Sequence, residues 1–405
     1  MKATVKKGVA RGKISAPSSK SIAHRLLICA ALCEGVSTLY GIDDCEDVLA
    51  TIDCLRTLGA DIRGCGGTYA VSGFDPRRAK PKGALYCRES GSTERFIIPL
   101  AALCGEGVKI EAAPQLLGRP MTVYKEIFDS RGLEFKALSD SFLVRGPLPC
   151  GVYTVRGDVS SQFITGLIFA LLKVDGDSKI LITPPFESKS YVDITIDTLK
   201  KFGAVVFYES DNVIKIKGNQ RLSPAEVTCE GDYSGAAFIE ALNLFGGEVK
   251  TLGLVPDSKQ GDRVFFECFS RLKDGYTTID ISDCPDLGPI LFASAAALYG
   301  AHFVGTRRLK IKESDRGAAM AEELEKFGVK LQVSENSITV PKSTLHPPTA
   351  PLFGHGDHRI VMSLAVLCTL TGGEILGAEA ISKSYPGFFR DLEALGIEVI
   401  LSEEA

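Results

Sequence analysis

The sequence predicts a mixed α/β (α+β) protein of two domains. Three observations predict it. A loop of small residues leading into an apolar helix recurs six times along the 405 residues. After each helix comes a short β-like run, then a second, amphipathic helix closed by glycine. Equivalent points lie about 70 residues apart, with one shorter interval between the fourth and fifth helix ends. Units of that length are too long for a solenoid, so two compact domains of three units each are the better geometry. The chain is also longer than one ordinary core supports.

The first unit opens at Pro17-Ser18-Ser19-Lys20-Ser21-Ile22-Ala23-His24-Arg25. Ser18 or Ser19 is expected to N-cap the helix, since a hydroxyl accepts from first-turn amides. Ile22, Leu26, Cys29, Ala30 and Cys33 share one helical face, and Gly35 ends the run. The later starts are Ser90-Gly91-Ser92-Thr93-Glu94-Arg95, Gly157-Asp158-Val159-Ser160-Ser161-Gln162, Asp232-Tyr233-Ser234-Gly235, Pro285-Asp286-Leu287-Gly288 and Gly356-Asp357-His358-Arg359. The β-like runs fall at 36–40, 108–111, 179–183, 248–252, 301–305 and 374–376. The second helices close at Leu58-Gly59, Arg131-Gly132, Phe202-Gly203, Asp274-Gly275, Phe327-Gly328 and Leu395-Gly396, each glycine supplying a left-handed cap. The first helices are apolar almost all round and are expected to be buried. The second carry charged faces and are expected outside.

The totals exclude several classes. A net charge of −4 gives no reason to expect nucleic acid or an acidic membrane as partner. Residues 1–20 are polar and basic, and no run of apolar residues is long enough to span a bilayer. Twelve cysteines are scattered without Cys-x-x-Cys, which predicts buried thiols of a cytoplasmic protein. His355 and His358 lack an acidic or thiol cluster, so no metal is expected.

Cations stand at helix starts, where a helix dipole disfavours them. Lys20, Arg25, Arg95, Arg359 and the pair Lys312 and Arg316 occupy such places, and Lys383 precedes Ser384-Tyr385-Pro386. Arg119 precedes Pro120, a residue type favoured at the first helical position. One such cation is an ordinary surface charge, but a set on equivalent ends of repeated elements points to bound anions. Small substrates bearing several phosphates or carboxylates fit that chemistry. There is no Walker P-loop, no Gly-x-Gly-x-x-Gly after a strand and no Gly-x-Ser-x-Gly. Asp286 and Glu313 lie among the cations. Asp286 reads as an N-cap or a base, and Glu313 as a first-turn acid or a proton donor. Ser160, Ser161 and Gln162 offer uncharged donors to a phosphate, or a simple cap.

Together these residues resemble the 5-enolpyruvylshikimate-3-phosphate synthases, the enolpyruvyl transferases of the shikimate pathway. The resemblance covers the whole chain. It is carried by Lys20-Ser21-x-x-x-Arg25, Gly91-Ser92, Arg119-Pro120, Ser160-Ser161-Gln162, Asp286, Lys312-Glu313-Ser314-Asp315-Arg316, Asp357-His358-Arg359 and Lys383-Ser384-x-Pro386. It implies six βαβαββ-type repeats, three per domain, with the active site in the cleft between domains. The expected domains are 14–228 and 1–13 plus 229–405. It implies transfer of the enolpyruvyl group of phosphoenolpyruvate to the 5-hydroxyl of shikimate 3-phosphate, with loss of phosphate and no metal or organic cofactor. By motif position, Ser21, Arg25, Ser160, Ser161, Ser188 and Lys312 hold shikimate 3-phosphate, and Tyr191 lines that pocket. Lys20 and Gln162 touch both substrates. Gly91, Arg119, Arg316, Arg359 and Lys383 hold phosphoenolpyruvate. Asp286 also meets shikimate 3-phosphate, as the base for its hydroxyl. Glu313, with Lys20, protonates the methylene carbon. A cytoplasmic monomer is expected, and the inhibitor glyphosate competes for the phosphoenolpyruvate pocket in this family.

Two residues depart from the family pattern. Glu89 stands where an Asn is usual, and Arg308 stands four residues before Lys312 where Asn is frequent. Two other readings differ in class. A UDP-N-acetylglucosamine enolpyruvyl transferase needs a reactive loop cysteine, and Cys87-Arg88-Glu89-Ser90-Gly91 does not resemble that loop. A non-catalytic anion-binding protein would not need Asp286, Glu313, Lys20 and Lys383 intact.

Overall fold

In a computed structural model, residues 1–403 are described, and they form a mixed α/β protein. The chain divides into two compact units, Ser18–Glu230 and Met1–Pro17 with Gly231–Ala405.

The unit Ser18–Glu230 carries helices α1 (Lys20–Ala31), α2 (Glu46–Leu58), α3 (Gly91–Ala101), α4 (Pro114–Leu117), α5 (Thr122–Ser130), α6 (Ser161–Leu171) and α7 (Lys189–Lys201). Nearly every residue of α1, α3 and α6 is buried, as their all-round apolar sequence requires. Phe96 of α3 meets Phe169 of α6 edge-on at 5.8 Å between ring centres. Helices α2, α5 and α7 bury one face only, such as Val48, Ile52 and Leu55 of α2. Three four-stranded sheets complete this unit, and each has one parallel pair followed by two antiparallel pairs. In the first, Glu226–Thr228 pairs with Val36–Ile42, which pairs with Gly67–Ser72, which pairs with Asp61–Cys65. Leu39, Ile42, Tyr69 and Val71 face the core.

The second unit carries α8 (Tyr233–Glu240), α9 (Phe265–Asp274), α10 (Gly288–Ala297), α11 (Arg316–Glu325), α12 (His358–Thr371) and α13 (Phe388–Ala394). Helix α10 is Ala-rich and apolar, and α12 is largely apolar; both run through the core. The chain start completes one sheet of this unit. Lys2–Val5 lies between Gly373–Leu376 and Val399–Ser402, antiparallel to both. Arg11–Ser15 pairs in parallel with Glu248–Leu252. A third sheet joins 277–280, 301–304, 337–340 and 332–333.

All six glycines expected to close second helices have positive φ, from 65° at Gly132 to 144° at Gly275. Three local expectations are corrected. Ser19 holds the N-cap position of α1 but makes no side-chain cap, and Ser18 Oγ instead accepts from the Asp43 amide at 2.9 Å. Pro120 is not the first helical residue, because Met121 at ψ 16° intervenes before α5 begins at Thr122. Glu313 lies outside the first turn of α11, whose N-cap is Asp315.

All twelve cysteines are free thiols, ten of them buried. Among the described residues no helix is long and apolar enough to cross a membrane.

Candidate active site

Each unit gathers its own set of the expected residues at helix N-termini. In Ser18–Glu230, Lys20 is the first residue of α1, and its Nζ donates to Asp47 Oδ2 at 2.8 Å. Arg25 follows one turn on, 2 % exposed. Its guanidinium donates to Thr195 Oγ1 at 2.8 Å, Ser21 O at 2.5 Å and Tyr191 O at 3.0 Å, and lies 5.1 Å from the Phe96 ring centre. Burial lowers its pKa to about 10, against the opposing influence of Tyr191 and Cys29, so it stays cationic at neutral pH. Ser188, buried at φ 54°, holds the N-cap position of α7 without a side-chain cap, and its carbonyl accepts from the Tyr191 amide at 3.2 Å. Lys20, Ser21, Arg25, Ser188 and Tyr191 are thus linked through the starts of α1 and α7.

A second group surrounds the start of α3. A Cβ on Gly91 would stand 2.8 Å from Arg119 Nη1 and 2.9 Å from Arg95 Nη1. Arg95 Nη1 donates to Gln162 Oε1 at 2.6 Å, and Gln162 Nε2 donates to Ser92 Oγ at 2.9 Å. Ser160 caps α6 by accepting from the Gln162 amide at 3.3 Å, with Ser161 buried beside it. Arg95 therefore joins Gly91, Arg119 and Gln162, a link that sequence reasoning missed. The α3 start is further held by a buried chain from His24 Nδ1 to Thr51 Oγ1 at 2.7 Å, Thr51 to Thr93 Oγ1 at 2.6 Å and Thr93 to Ser90 Oγ at 2.8 Å. Ser90 Oγ caps α3 through the Thr93 amide.

In the second unit the charges converge on Asp286, which sits in the turn Pro285–Leu287 before α10 rather than at an N-cap. Its Oδ1 accepts from Arg316 Nη1 at 2.8 Å and lies 3.1 Å from Lys312 Nζ. Its Oδ2 accepts from Arg359 Nη2 at 2.9 Å. Burial alone would raise its pKa. Arg359, Lys312 and Arg316 outweigh burial and hold the carboxyl well below its ordinary range. Arg316, 1 % exposed, also donates to Glu313 Oε2 at 2.6 Å and Asp357 Oδ2 at 2.8 Å. Despite burial, Asp357, Glu313 and Asp286 push its pKa above the ordinary arginine value. Lys312 is pulled down, chiefly by burial, with Asp286 opposing and Arg316 and Arg308 adding to the fall. The Arg308 departure thus reaches Lys312 electrostatically. Asp357, fully buried, caps α12 through the Arg359 amide at 2.9 Å. Lys383 Nζ donates to Gly356 O at 2.6 Å, which places it beside this motif.

Two other expectations are tested by side-chain chemistry. The Cys87 thiol is buried, and its hydrogen bond with Cys54, burial and nearby Glu94 push its pKa up, the opposite of a reactive loop cysteine. The expectation that His355 lacks an acidic cluster is corrected: Glu322, Glu323 and His355 bring ligand-type atoms within 4.8 Å of one another, and Lys326 Nζ donates to both Glu323 oxygens at 3.0 and 2.8 Å.

Sequence reasoning also left Asp47 and Asp357 without roles. Asp357 had a signal, since it directly precedes His358-Arg359 at a helix start. Asp47 had none, because only the tertiary fold brings it to Lys20.

The family model for EPSP synthase (3-phosphoshikimate 1-carboxyvinyltransferase) matches residues 5–392. The chain is 40 % identical over 410 residues to a 3-phosphoshikimate 1-carboxyvinyltransferase of Clostridium kluyveri, with 96 % of each covered. It is 37 % identical over 415 residues to one of Clostridium novyi, with 95 % of each covered. A solved EPSP synthase of Acinetobacter baumannii shares the fold with a TM-score of 0.80 at 21 % identity, covering all of both chains. A second such structure gives 0.78 at 23 % identity, covering 99 % of this chain and 100 % of the other. The motifs, the α/β fold and these matches agree, and the chain belongs to the EPSP synthase (3-phosphoshikimate 1-carboxyvinyltransferase) family.

Proposed function

We infer that the chain transfers the enolpyruvyl group of phosphoenolpyruvate to the 5-hydroxyl of shikimate 3-phosphate, giving 5-enolpyruvylshikimate 3-phosphate and phosphate. Family membership supports the reaction. The observation that carries the residue roles is the Asp286 carboxylate held by Lys312, Arg316 and Arg359. Such a carboxylate is ionised, and substrate anions that engage Lys312, Arg316 and Arg359 release it to take the proton of the attacking hydroxyl.

The hydroxyl oxygen bonds to the central carbon of phosphoenolpyruvate while Glu313, with Lys20, protonates the methylene carbon. The resulting tetrahedral intermediate then loses a methyl proton as its carbon–oxygen bond to phosphate breaks. Ser21, Arg25, Ser160, Ser161, Gln162, Ser188, Tyr191 and Lys312 bind shikimate 3-phosphate, with Lys20 and Asp286. Lys20, Gly91, Arg119, Gln162, Arg316, Arg359 and Lys383 bind phosphoenolpyruvate. The cations stabilise charge that develops on the substrates, which is why no cofactor is invoked. An anion reaching Arg316 competes with Glu313 for one guanidinium, so substrate binding changes how Glu313 is held.

Three repeats per domain, the ranges 14–228 and 1–13 plus 229–405, a monomeric state and a cytoplasmic location belong to the same proposal. So does the absence of nucleic-acid or membrane partners. The test is phosphate release from phosphoenolpyruvate with shikimate 3-phosphate, with UDP-N-acetylglucosamine and with neither. Release with the first alone supports the reading, and release with the second overturns it. No release with either favours a binding protein.

A further inference from the structure

Helix α11 begins with Arg316, and Glu323 follows on the same face about two turns later. Residues 353–357 run along that face and are tied to it at both ends. At one end Arg316 Nε donates to Asp357 Oδ2 at 2.8 Å. At the other Glu323, fully buried, accepts from the Phe353 amide on Oε2 at 2.9 Å and from His355 Nε2 on Oε1 at 2.9 Å. Lys326 Nζ donates to the same carboxylate and to the Pro351 carbonyl at 3.1 Å. Burial works against a charge on Glu323, but the His355, Lys326 and Phe353 donors outweigh it and hold its pKa below the ordinary value. An ionised carboxylate only accepts, so His355 carries a proton on Nε2.

The backbone between the two ties is left-handed, with φ 51° at His355 and 63° at Gly356. Glycine adopts that conformation freely, whereas a histidine there is held by its surroundings. Those surroundings are the Glu323 hydrogen bond, the Phe353 ring, which meets the imidazole edge-on at 5.1 Å between ring centres, and a turn closed by the Asp357 amide on the Gly354 carbonyl at 2.9 Å. The turn presents the Gly356 carbonyl to Lys383, whose Nζ donates to it at 2.6 Å. Gly356 thus stands between two pins on one helix face, His355 on Glu323 and Asp357 on Arg316. The Asp357 pin belongs to the charge cluster around Asp286; the His355 pin belongs to none of the motifs above.

We propose that His355 is a positioning residue of this enzyme: clasped by Glu323, it fixes the Gly356 carbonyl that aims the Lys383 ammonium at phosphoenolpyruvate. This rests on the role given above to Lys383. His355 acts through the turn and not on the substrate, so a different donor of the same reach must replace it.

The test compares His355→Gly, His355→Gln, Lys383→Ala and the double variant His355→Gly with Lys383→Ala in steady-state kinetics. Glycine keeps the left-handed backbone and removes the clasp, while glutamine keeps an N–H donor at the reach of Nε2. His355→Gly is expected to raise the KM for phosphoenolpyruvate about tenfold, with the KM for shikimate 3-phosphate within about twofold of wild type. His355→Gln recovers most of that loss. Added to Lys383→Ala, His355→Gly costs nothing further, because its effect passes through Lys383. Equal rises in both KM values, a Gln variant as damaged as the Gly one, or a full second loss on top of Lys383→Ala overturns the proposal. If His355→Gly does not fold, His355→Asn, which also tolerates this backbone but falls short of Glu323, carries the same comparison. Lys383→Ala with an unchanged phosphoenolpyruvate KM overturns the Lys383 role and the proposal with it. A raised value there beside unchanged His355→Gly kinetics overturns the His355 proposal alone.

Discussion

The Arg316 guanidinium meets the Asp286 carboxylate at 2.8 Å, with the arginine almost wholly buried. Breaking a buried pair costs more than its net worth, because the remaining charge loses its partner. Here three cations share that carboxylate and favour its ionised form.

Acid should therefore weaken the fold through Asp286. Its folded pKa is depressed below the unfolded value of about 3.9. Its contribution to stability is complete above about pH 4 and is lost as pH falls through the folded value. Urea unfolding from pH 5 to pH 2.5 is expected to show a steeper loss in wild type than in Asp286→Asn. Parallel losses would count against this assignment.

Glu94 should act in the opposite sense. It is buried in the first turn of α3, and neither carboxyl oxygen has a hydrogen-bond partner among the described residues. Burial raises its pKa to about 7, against the pull of Arg95 and Arg119. The folded state thus holds a proton that the unfolded chain gives up near pH 4.5. Stability falls as pH rises from there through about 7, by of order 3 kcal/mol. Glu94→Leu is expected to raise the Tm clearly at pH 8 and little at pH 5. An equal change at both values would refute this.

Gly91→Ala should weaken phosphoenolpyruvate binding. The added methyl stands 2.8 Å from Arg119 Nη1 and 2.9 Å from Arg95 Nη1, and both guanidinium ends must move. Side-chain ends are flexible, so the fold survives while the anion contact is displaced. A rise in the phosphoenolpyruvate KM of about tenfold is expected, with a larger loss of glyphosate inhibition. Unchanged values for both would place the pocket elsewhere.

Arg25→Lys should not be conservative. The guanidinium satisfies Thr195 Oγ1 and two carbonyls, Ser21 O and Tyr191 O, in fixed directions. An ammonium cannot reproduce that fork, so part of this set of hydrogen bonds is lost. The Tm is expected to fall by about 5 °C, with the shikimate 3-phosphate KM rising more than that for phosphoenolpyruvate. A variant matching wild type on both would contradict the role.

What the sequence made legible was local or periodic. The stretch from Ile22 to Ala31, apolar but for His24 and Arg25, reads as a buried helix, and glycines such as Gly59 and Gly328 adopt the expected positive φ where second helices end. The motif residues Asp286, Lys312, Arg316 and Arg359 do meet one another. The illegible part depended on distant partners. Gln260-Gly261-Asp262-Arg263 reads as a polar turn, yet Asp262 is buried. Glu94 reads as an ordinary first-turn acid, and only the packing around α3 removes its water. The placing of Lys2–Val5 between two strands from the end of the chain has no local signal. Pro120 carried a helix-start signal that Met121, with non-helical torsions, overrode.

The most direct measurement is phosphate release from phosphoenolpyruvate by wild type and Asp286→Ala, with and without shikimate 3-phosphate. Release that requires shikimate 3-phosphate and falls by about 10²- to 10⁴-fold in the variant is the predicted result. Release by Asp286→Ala at the wild-type rate would contradict the assignment of Asp286 as the base.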